Sequence, residues 1–382
     1  MKKQKYKMQE IYEGLYDGPH ATPPVSDSGA VFLGISNITP DGHIDYSDIR
    51  YINEIDLPKW TKRVTPKGGD IVFSYEATLN LYAIIPEGFW GCLGRRMALI
   101  RPDESKALGK YLYYYFYSDE WRATIAENTI AGSTVDRIPI AKFPEFPITL
   151  PDLSAQKKIA DTLSVYDDLI ENNQKQIKLL EEAAQRLYKE WFVDLRFPGH
   201  EDTEIVDGLP VRWKKQGLSE IAPILTGKKD ANFGTEDGKY LFFTCAQEPI
   251  KAPSYSFDCD AVILAGNGDF NVKLYRGKFE AYQRTYVFSP FDSGHLYLLY
   301  HAVRENMRQL FQGASGSTIK FLTKRMLEDI VVYIPDEQLL KKYNNNAEAV
   351  QRKIECLKDS INRATEARDR LLPKLMSGEI KL

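Results

Sequence analysis

The chain lacks several features that would place it in a common class of protein. No apolar run approaches the roughly 20 residues that span a bilayer, and the start MKKQKYKMQE leads into no signal-peptide-like apolar segment. The four cysteines form no CxxC pair, which argues against a disulfide framework and against a zinc site. We therefore expect a cytoplasmic protein with no membrane partner, whose reduced, structural cysteines are Cys92, Cys245, Cys259 and Cys356.

The motifs of the common catalytic classes are also missing. The sequence has no Asn-Pro-Pro-Tyr adenine methyltransferase loop, no Gly-x-Gly-x-x-Gly cofactor loop after a strand, and no Walker A lysine followed by a hydroxyl residue. A nuclease-like reading of Pro335-Asp336 is weaker than a helix cap, because the same pair begins a helix at Pro151-Asp152. We expect a non-enzyme without a metal site, since no ligand or nucleophile-base set emerges among His20, His43, His200, His295 and His301.

The chain has no surplus of basic charge. It carries 50 Lys and Arg against 53 Asp and Glu, a formal net charge of −3. A small stand-alone DNA-binding protein usually has a basic surplus. Any nucleic-acid function must therefore depend on local clusters or on a partner that supplies positive charge.

What the chain does have is an internal repeat at one fixed offset. Gly132-Ser133-Thr134 recurs as Gly316-Ser317-Thr318, and Pro151-Asp152 recurs as Pro335-Asp336, so that 316−132 and 335−151 both give 184. Such repeats decide the architecture of a chain. One unit is therefore written twice, with no insertion or deletion between the matched parts.

The best matched part of each copy is a long amphipathic helix. Apolar residues recur at alternating steps of four and three, which is the pattern of a coiled-coil seam, and each Pro-Asp pair supplies a helix cap. We predict a first helix over about 154–192 and a second at the same positions shifted by 184, with only Arg368 breaking the second seam. The shared register favours mutual pairing over two unrelated surface helices. The predicted seam residues are Ile159, Leu163, Tyr166, Ile170, Ile177, Leu180, Leu187, Val350, Ile354, Leu357, Ile361, Leu371 and Leu375.

The segments between the helices are rich in Tyr, Phe, Ile and Val, broken by Gly, Pro, Asp and Asn, which predicts short strands and turns. The expected organisation is a globular domain over 1–150, a helix over 151–200, a second domain over 201–333 and a second helix over 334–382. This is an α+β fold: two globular α/β domains with small sheets, separated by two long antiparallel coiled-coil helices in a pseudo-two-fold internal repeat. Candidate strands are 31–35, 70–75, 81–85 and 96–101, then 240–244, 261–265, 273–275 and 284–289, and helix-like aromatic stretches cover 110–126 and 295–312.

Several motifs resemble the type I restriction-modification specificity subunits. The run Leu150–Ala160, with Asp167–Asn173 and Trp191–Asp194 after it, is similar to that family's central conserved region, and Arg370–Ile380 is similar to the end of its distal conserved region. The resemblance covers essentially the whole chain. The chain departs from the family pattern in two places. The Leu-Pro-x-x-Trp entry to a globular domain, present at Leu209-Pro210-x-x-Trp213, has no counterpart before residue 20, and the second helix opens with Glu-Gln-Leu-Leu instead of the Ser-x-Gln-Lys pattern.

The resemblance implies a subunit that reads DNA without catalysing a reaction. In that family two target-recognition domains each read one half of a split double-stranded DNA site, and the paired helices dock two methyltransferase subunits. Those subunits use S-adenosylmethionine, so no cofactor is expected in this chain, and a motor-nuclease restriction subunit can join. Two readers on a rigid spacer contact half-sites about one helical turn apart.

Candidate DNA contacts follow from residue chemistry at the ends of the predicted strands. Arg forks onto guanine, Asn and Gln onto adenine, and Lys, Ser and Thr bind phosphate. For each of them a solvated loop or a local turn is an alternative, and for Tyr111–Tyr117 a core stripe is favoured over stacking on a flipped base. The candidates are Ser36, Asn37, Ser74, Tyr75, Glu76, Thr78, Asn80, Arg95, Arg96, Ser133 and Thr134, and then Lys228, Lys229, Asn267, Asp269, Asn271, Lys273, Gln283, Arg284, Ser317, Thr318, Lys320 and Lys324.

Two other functions remain open at this point. One is a specificity subunit of a different restriction architecture, in which a single partner both methylates and cleaves. The other is a scaffold independent of DNA, in which the coiled coil joins two protein-binding domains. Neighbouring genes would separate the first from the type I arrangement, and a DNA-binding test with the methyltransferase would separate the second.

Overall fold

The computed structural model describes residues 3–132, 135–314, 316 and 320–382, and the chain divides into two compact units. Unit 1 comprises Met1–Glu171 and Ile361–Leu382, and unit 2 comprises Asn172–Ser360. Each unit therefore contains one globular segment and a part of both long helices. No helix in the described part of the chain combines the length and apolarity that a membrane crossing requires.

The first repeat runs from a short strand to a long helix. Its strands are β1 (Lys3–Lys7), β2 (Tyr12–Asp17), β3 (Ala30–Leu33), β4 (Arg50–Ile52), β5 (Ile71–Ser74), β6 (Tyr82–Ile84), β7 (Gly91–Leu93), β8 (Met97–Pro102) and β9 (Pro147–Pro151). Its helices are α1 (Leu57–Trp60), α2 (Gly109–Phe116), α3 (Asp119–Asn128) and α4 (Leu153–Tyr188).

Small sheets form the globular part of unit 1. A four-stranded sheet has the order β2-β8-β5-β6, a three-stranded sheet has the order β4-β3-β7, and β1 pairs antiparallel with β9. The aromatic stretch lies in the core, because Tyr111, Tyr115 and Trp121 are all at most 1 % exposed. The core interpretation of this stretch is therefore confirmed.

The same stretch forms two helices rather than one. The sequence predicts a continuous helical stretch over 110–126, but α2 ends at Phe116 and α3 begins at Asp119. Between them Ser118 has extended backbone angles, and its hydroxyl accepts a hydrogen bond from the backbone amide of Trp121 at 3.3 Å. A serine in this conformation starts a new helix.

The second repeat also ends in a long helix, and its two longest strands, of 9 and 10 residues, are longer than any strand of the first repeat. Its strands are β10 (Ile205–Val206), β11 (Leu209–Pro210), β12 (Lys214–Gly217), β13 (Leu225–Thr226), β14 (Tyr240–Phe243), β15 (Ile250–Ala252), β16 (Phe257–Ala265), β17 (Val272–Ala281), β18 (Thr285–Phe288) and β19 (Val331–Ile334). Its helices are α5 (Leu218–Ile221), α6 (Leu296–Gly313), α7 (Lys324–Glu328) and α8 (Glu337–Ser377).

Unit 2 is built around a six-stranded sheet of order β13-β18-β16-β17-β14-β15. The antiparallel pair of β12 and β19 corresponds to the pair of β1 and β9 in unit 1, because in both the last strand before the long helix pairs with a strand near the start of the domain. Helix α6 packs its apolar face on this sheet, with Leu298, Leu299 and Val303 fully buried.

Both long helices begin at the predicted caps. The carboxylate of Asp152 accepts a hydrogen bond from the amide of Ala155 at 2.9 Å, and that of Asp336 accepts one from Leu339 at 3.0 Å. These bonds satisfy backbone donors that the first helical turn leaves free. Helix α4 ends at Tyr188 rather than near residue 192, and a π-helical turn over Lys189–Val193 follows it.

The helices pair in opposite directions within each unit. In unit 1, Ile159 and Leu163 near the start of α4 share a core with Leu375 near the end of α8, whereas in unit 2 Tyr188 shares a core with Tyr343. The mixed helix and small-sheet fold with two domains and long paired helices is confirmed. Of the predicted seam, Ile159, Leu163, Ile170, Ile354, Leu357 and Leu375 are buried, and Tyr166, Ile177, Leu180, Leu187, Val350, Ile361 and Leu371 are partly buried.

Candidate nucleic-acid interface

Three chain segments meet at one end of the four-stranded sheet in unit 1. The backbone amide of Tyr75, the first residue after β5, donates to the carbonyl of Arg96 in the turn before β8 at 3.1 Å. Two residues further on, the amide of Ala77 donates to the carbonyl of Asp136 at 3.1 Å, and the amide of Ile138 donates back to Tyr75 at 2.7 Å. Backbone hydrogen bonds thus join three segments: the loop between β5 and β6, the turn at Arg95-Arg96 before β8, and the segment after Gly132. We call the turn before β8, and the matching turn before β18, the Arg turn.

The same three connections are present in unit 2. The amide of Gly266 donates to the carbonyl of Arg284 at 2.9 Å, joining the loop between β16 and β17 to the turn before β18. The amide of Gly268 donates to Lys320 at 3.3 Å, and Leu322 donates back to Gly266 at 2.8 Å. The repeat therefore extends to individual hydrogen bonds of the backbone.

We call this arrangement the three-segment site: in unit 1 it comprises 75–81, 95–96 and 136–138, and in unit 2 it comprises 266–271, 283–284 and 320–322. The third segment of each site keeps the offset of 184, because 320−136 and 322−138 both give that value. It follows directly on the Gly-Ser-Thr motif, whose predicted contacts Ser133, Thr134, Ser317 and Thr318 lie outside the described residues.

Backbone strain is concentrated at the site in unit 1. Ala77, Asn80 and Arg96 adopt left-handed backbone angles, with φ of 71°, 61° and 70°. The residue of unit 2 that corresponds to Ala77 is Gly268, which has φ of 66°. Non-glycine residues in this region cost about 1–2 kcal/mol each and cluster at functional sites.

A fourth segment approaches the Arg turn in unit 2. Gly227 has no room for a side chain, because a Cβ there would lie 1.9 Å from the carbonyl oxygen of Ala281. This close approach lets the carbonyl of Lys229 accept a hydrogen bond from the amide of Gln283 at 2.9 Å. The segment Leu225-Thr226-Gly227-Lys228 and the residue after it therefore hold a lysine pair, Lys228 and Lys229, beside the site.

The predicted contacts of the first domain differ in accessibility. Asn37 is 4 % exposed, and its amide group donates to the carbonyls of Asp45 and Asp48 at 3.3 and 3.4 Å, so its side chain holds its own loop. The carboxylate of Glu76 lies 3.2 Å from the guanidinium of Arg96. Ser36, Thr78 and Arg95 are exposed, Glu76, Asn80 and Arg96 are partly buried, and Asn37, Ser74 and Tyr75 are buried.

Most predicted contacts of the second domain reach the surface. Two of them already form hydrogen bonds within the protein. The side-chain amide of Gln283 donates to the carboxylate of Asp230 at 2.7 Å, and the side-chain amide of Asn271 donates to the carbonyl of Cys245 at 3.1 Å. Lys228, Asp269, Gln283, Arg284, Lys320 and Lys324 are exposed, and Lys229, Asn267, Asn271 and Lys273 are partly buried. DNA contact by these side chains, as in the first domain, stays a prediction.

Burial changes the pKa of two groups at the sites. It raises the pKa of the Tyr75 phenol, and the carboxylates of Asp17 and Glu76 act in the same direction. It lowers the pKa of Lys273, whose ammonium group donates to the carbonyl of Ala246 at 2.9 Å. Tyr75 therefore stays neutral and Lys273 is held in place rather than extended into solvent.

Sequence reasoning missed two exposed residues of the site in unit 1, Asp136 and Arg137. Arg137 forms an antiparallel bridge with Glu76, as Phe321 does with Asn267 in unit 2. The signal was present in the sequence, because subtracting 184 from the chosen Lys320 gives Asp136.

The chemistry of the two sites suits DNA in different ways. In unit 1 the exposed Arg95 and Arg137 offer planar donors that match guanine or phosphate, next to the carboxylate of Glu76. In unit 2 the site contains the exposed Arg284 and Lys320 together with the amide side chains of Asn267, Asn271 and Gln283, a residue type that matches adenine. The two sites therefore share their backbone hydrogen bonds and differ in their exposed side chains.

Comparisons with known proteins find similar sequences. Residues 28–182 match the family of the type I restriction modification DNA specificity domain. The chain is 39 % identical over 179 residues to the type I restriction enzyme EcoDI specificity subunit of Escherichia coli, covering 45 % of this chain but only 39 % of that protein. It is 25 % identical over 384 residues to the MjaIX specificity subunit of Methanocaldococcus jannaschii, covering 90 % of this chain and 86 % of that one.

A solved structure shows the same fold. The S subunit of a type I restriction-modification system from M. genitalium superposes with a TM-score of 0.57 at 18 % identity, and the match covers 98 % of this chain and 96 % of that chain. At this level of identity the likeness concerns the fold alone.

Proposed function

We propose that the chain belongs to the family of type I restriction-modification specificity subunits and that it recognises a bipartite double-stranded DNA sequence; the matches to that family's domain and to two of its members support this. Each unit reads one half of the target through its three-segment site. The chain supplies sequence specificity to a larger complex and catalyses no reaction itself.

One observation carries this proposal. The backbone of the three-segment site is built twice, with the same three hydrogen bonds, while the exposed side chains differ between the copies. A structural turn needs no such divergence, whereas a pair of readers for two different half-sites requires it. Phosphate contacts fix the position of a protein on DNA and base contacts specify the sequence, so a shared frame with divergent side chains suits both tasks.

The partners follow from the family and from the balanced charge. We propose that methyltransferase subunits, two per chain, dock on the paired helices and carry the S-adenosylmethionine and the catalytic groups. A motor-nuclease restriction subunit joins the same complex, and the assembly acts in the cytoplasm. With 50 basic and 53 acidic residues, the chain relies on these partners for part of the electrostatic attraction to DNA.

The test is an exchange of one reader. Residues about 201–333 are replaced by the same segment of another family member, and the methylated sequence is mapped by long-read sequencing of a host that carries the matching methyltransferase. Only one half of the methylated motif should change, because the other half is read by the site in unit 1. The matched control exchanges residues about 1–150 and should change only the other half.

Two outcomes would overturn the proposal. If one exchange changed both halves, the two sites would not read independently. If neither exchange changed the motif while methylation persisted, sequence recognition would lie in another subunit.

A further inference from the structure

The internal repeat creates a problem of pairing. Helices α4 and α8 derive from one repeated sequence with a shared seam, so each could in principle pair with a copy of itself from another chain. The same repeat of apolar residues every seven positions would also tolerate a slip along the seam. The structure shows one pairing, and an apolar seam alone does not explain why.

A buried polar cluster in unit 1 distinguishes the two helices. The guanidinium of Arg368 on α8 donates to the carboxylate of Asp167 on α4 at 2.7 Å, and these side chains are 10 % and 15 % exposed. The hydroxyl of Tyr114 on α2 donates to the other oxygen of Asp167. Burial alone would lower the pKa of Arg368, but the hydrogen bond and charge of Asp167 outweigh it and raise the pKa overall.

Unit 2 has no equivalent of this cluster at the corresponding positions. Subtracting 184 from Arg368 gives Ala184, and adding 184 to Asp167 gives Gln351. Both residues line one small cavity in unit 2, so they are neighbours as Asp167 and Arg368 are in unit 1. The pair of positions occupied by the charged Asp167 and Arg368 in unit 1 is therefore occupied by the uncharged Gln351 and Ala184 in unit 2.

The ion pair is satisfied in only one pairing. If α4 paired with the α4 of a second chain, Asp167 would face Ala184, and in an α8 pair Arg368 would face Gln351. A slip of seven residues would place Arg368 opposite Ala160 or Gln174. Each alternative breaks this buried ion pair: Arg368 then keeps only Asp369, the exposed next residue of α8, as an ionic partner at 2.9 Å. Breaking a buried ion pair strongly destabilises the arrangement in which it is broken.

A second polar contact acts in the same direction in unit 2. The buried amide of Asn173 on α4 donates to the hydroxyl of Ser360 on α8 at 3.0 Å. The residues at the corresponding positions are Leu357 and Gln176, so this contact is also lost in a like-with-like pair.

We propose that Asp167 and Arg368, supported by Tyr114, select the pairing of α4 with α8 in a single register. A polar residue at one seam position specifies register and partner at some cost in stability. The pair thereby keeps two different readers together in one chain and prevents a dimer built from two copies of the same repeat. This selection depends on the contacts among α2, α4 and α8 and does not rest on DNA binding.

The experiment makes the two repeats alike. In the full chain, Asp167→Gln with Arg368→Ala installs the residues found at Gln351 and Ala184. Spin labels on cysteines introduced by Ser154→Cys and Asn362→Cys report the register by pulsed electron resonance, in a background without the three cysteines that are at least partly exposed, Cys245, Cys259 and Cys356. Light scattering after refolding from urea, over a range of protein concentrations, reports the mass.

The wild-type cysteine background should give one narrow distance and a monomer. The repeat-matched variant should give a second distance displaced by about 10 Å, the length of seven helical residues, or a concentration-dependent dimer. The exchanged pair, Asp167→Arg with Arg368→Asp, keeps complementary charges and should restore the single distance. Removal of an exposed ion pair on the same helix, Glu366→Ala with Arg370→Ala, should change neither measurement.

Three results would overturn the proposal. One is a repeat-matched variant that stays monomeric with the wild-type distance. Another is a repeat-matched variant that loses its helical circular dichroism, because the pair would then supply stability rather than selection. The third is an exchanged pair that behaves like the repeat-matched variant, because charge complementarity would then not be the cause.

Discussion

Lowering the pH should destabilise unit 2 through one buried histidine. His301 on α6 is 4 % exposed, and its Nδ1 lies 2.7 Å from the hydroxyl oxygen of Tyr343 and 3.0 Å from the carbonyl oxygen of Tyr297. Burial lowers the pKa of His301 from 6.5 to about 4, and the charge of Arg304 acts in the same direction. The folded protein therefore keeps this imidazole neutral at neutral pH.

The sign and size of the effect follow from proton linkage. Between pH 6.5 and about 4 the unfolded chain binds a proton at His301 that the folded chain does not bind, so the free energy of unfolding falls as the pH falls. The difference between the two pKa values corresponds to about 3 kcal/mol, since each pH unit is worth about 1.4 kcal/mol. The loss begins near pH 6.5 and is complete near pH 4.

Urea unfolding of the full chain at half-unit steps from pH 7.5 to 4 measures this effect. Carboxylates also contribute at the acid end, so the informative quantity is the difference in pH dependence between the wild type and His301→Gln. Between pH 7.5 and 4 the free energy of unfolding of His301→Gln should fall by about 3 kcal/mol less than that of the wild type. The variant His20→Gln, which removes an exposed histidine, should show the same fall as the wild type. Parallel curves for the wild type and His301→Gln would refute the reasoning.

Three further predictions concern the seam and the sites. Leu357→Asp puts a charge into the buried seam and should lower the urea unfolding free energy by about 3–5 kcal/mol, whereas Leu179→Asp, at a position 64 % exposed on α4, should not. Gly268→Ala should cost about 1 kcal/mol in the same assay because of its left-handed backbone, and Ala77→Gly should cost nothing; equal losses would contradict the assigned strain. Arg95→Ala should weaken binding of target DNA by the assembled complex about tenfold. In a salt titration, the slope of log binding constant against log salt concentration should be reduced by about 1 if Arg95 contacts phosphate and unchanged if it contacts a base. Unaltered affinity would exclude Arg95 from the interface.

The sequence predicts the helices better than the sites, for a physical reason. A seam repeats over many turns, so its register is over-determined, and each Pro-Asp pair lies at the start of a long helix that its aspartate caps. Arg368 looks like a fault in that pattern, because its partner Asp167 is distant in sequence and flanks the seam. Only the fold brings the two together.

The loops are harder because their side chains report local chemistry and not accessibility. Asn37 and Arg95 are both plausible DNA contacts by residue type, yet one is buried in its own loop and the other is exposed. The repeat supplied the better guide. Asp136 becomes visible as a site residue once the offset of 184 is applied to Lys320.

The strand pairs that close each globular segment have a consequence for how such chains change. Lys214 on β12 pairs with Ile334 on β19, and Gln4 on β1 pairs with Leu150 on β9, so each segment enters and leaves its unit at neighbouring points. Segments whose ends lie close together tolerate insertion and replacement. Recombination between related genes can therefore exchange a whole globular segment as a cassette, with both joints falling in a short ribbon that makes its own hydrogen bonds.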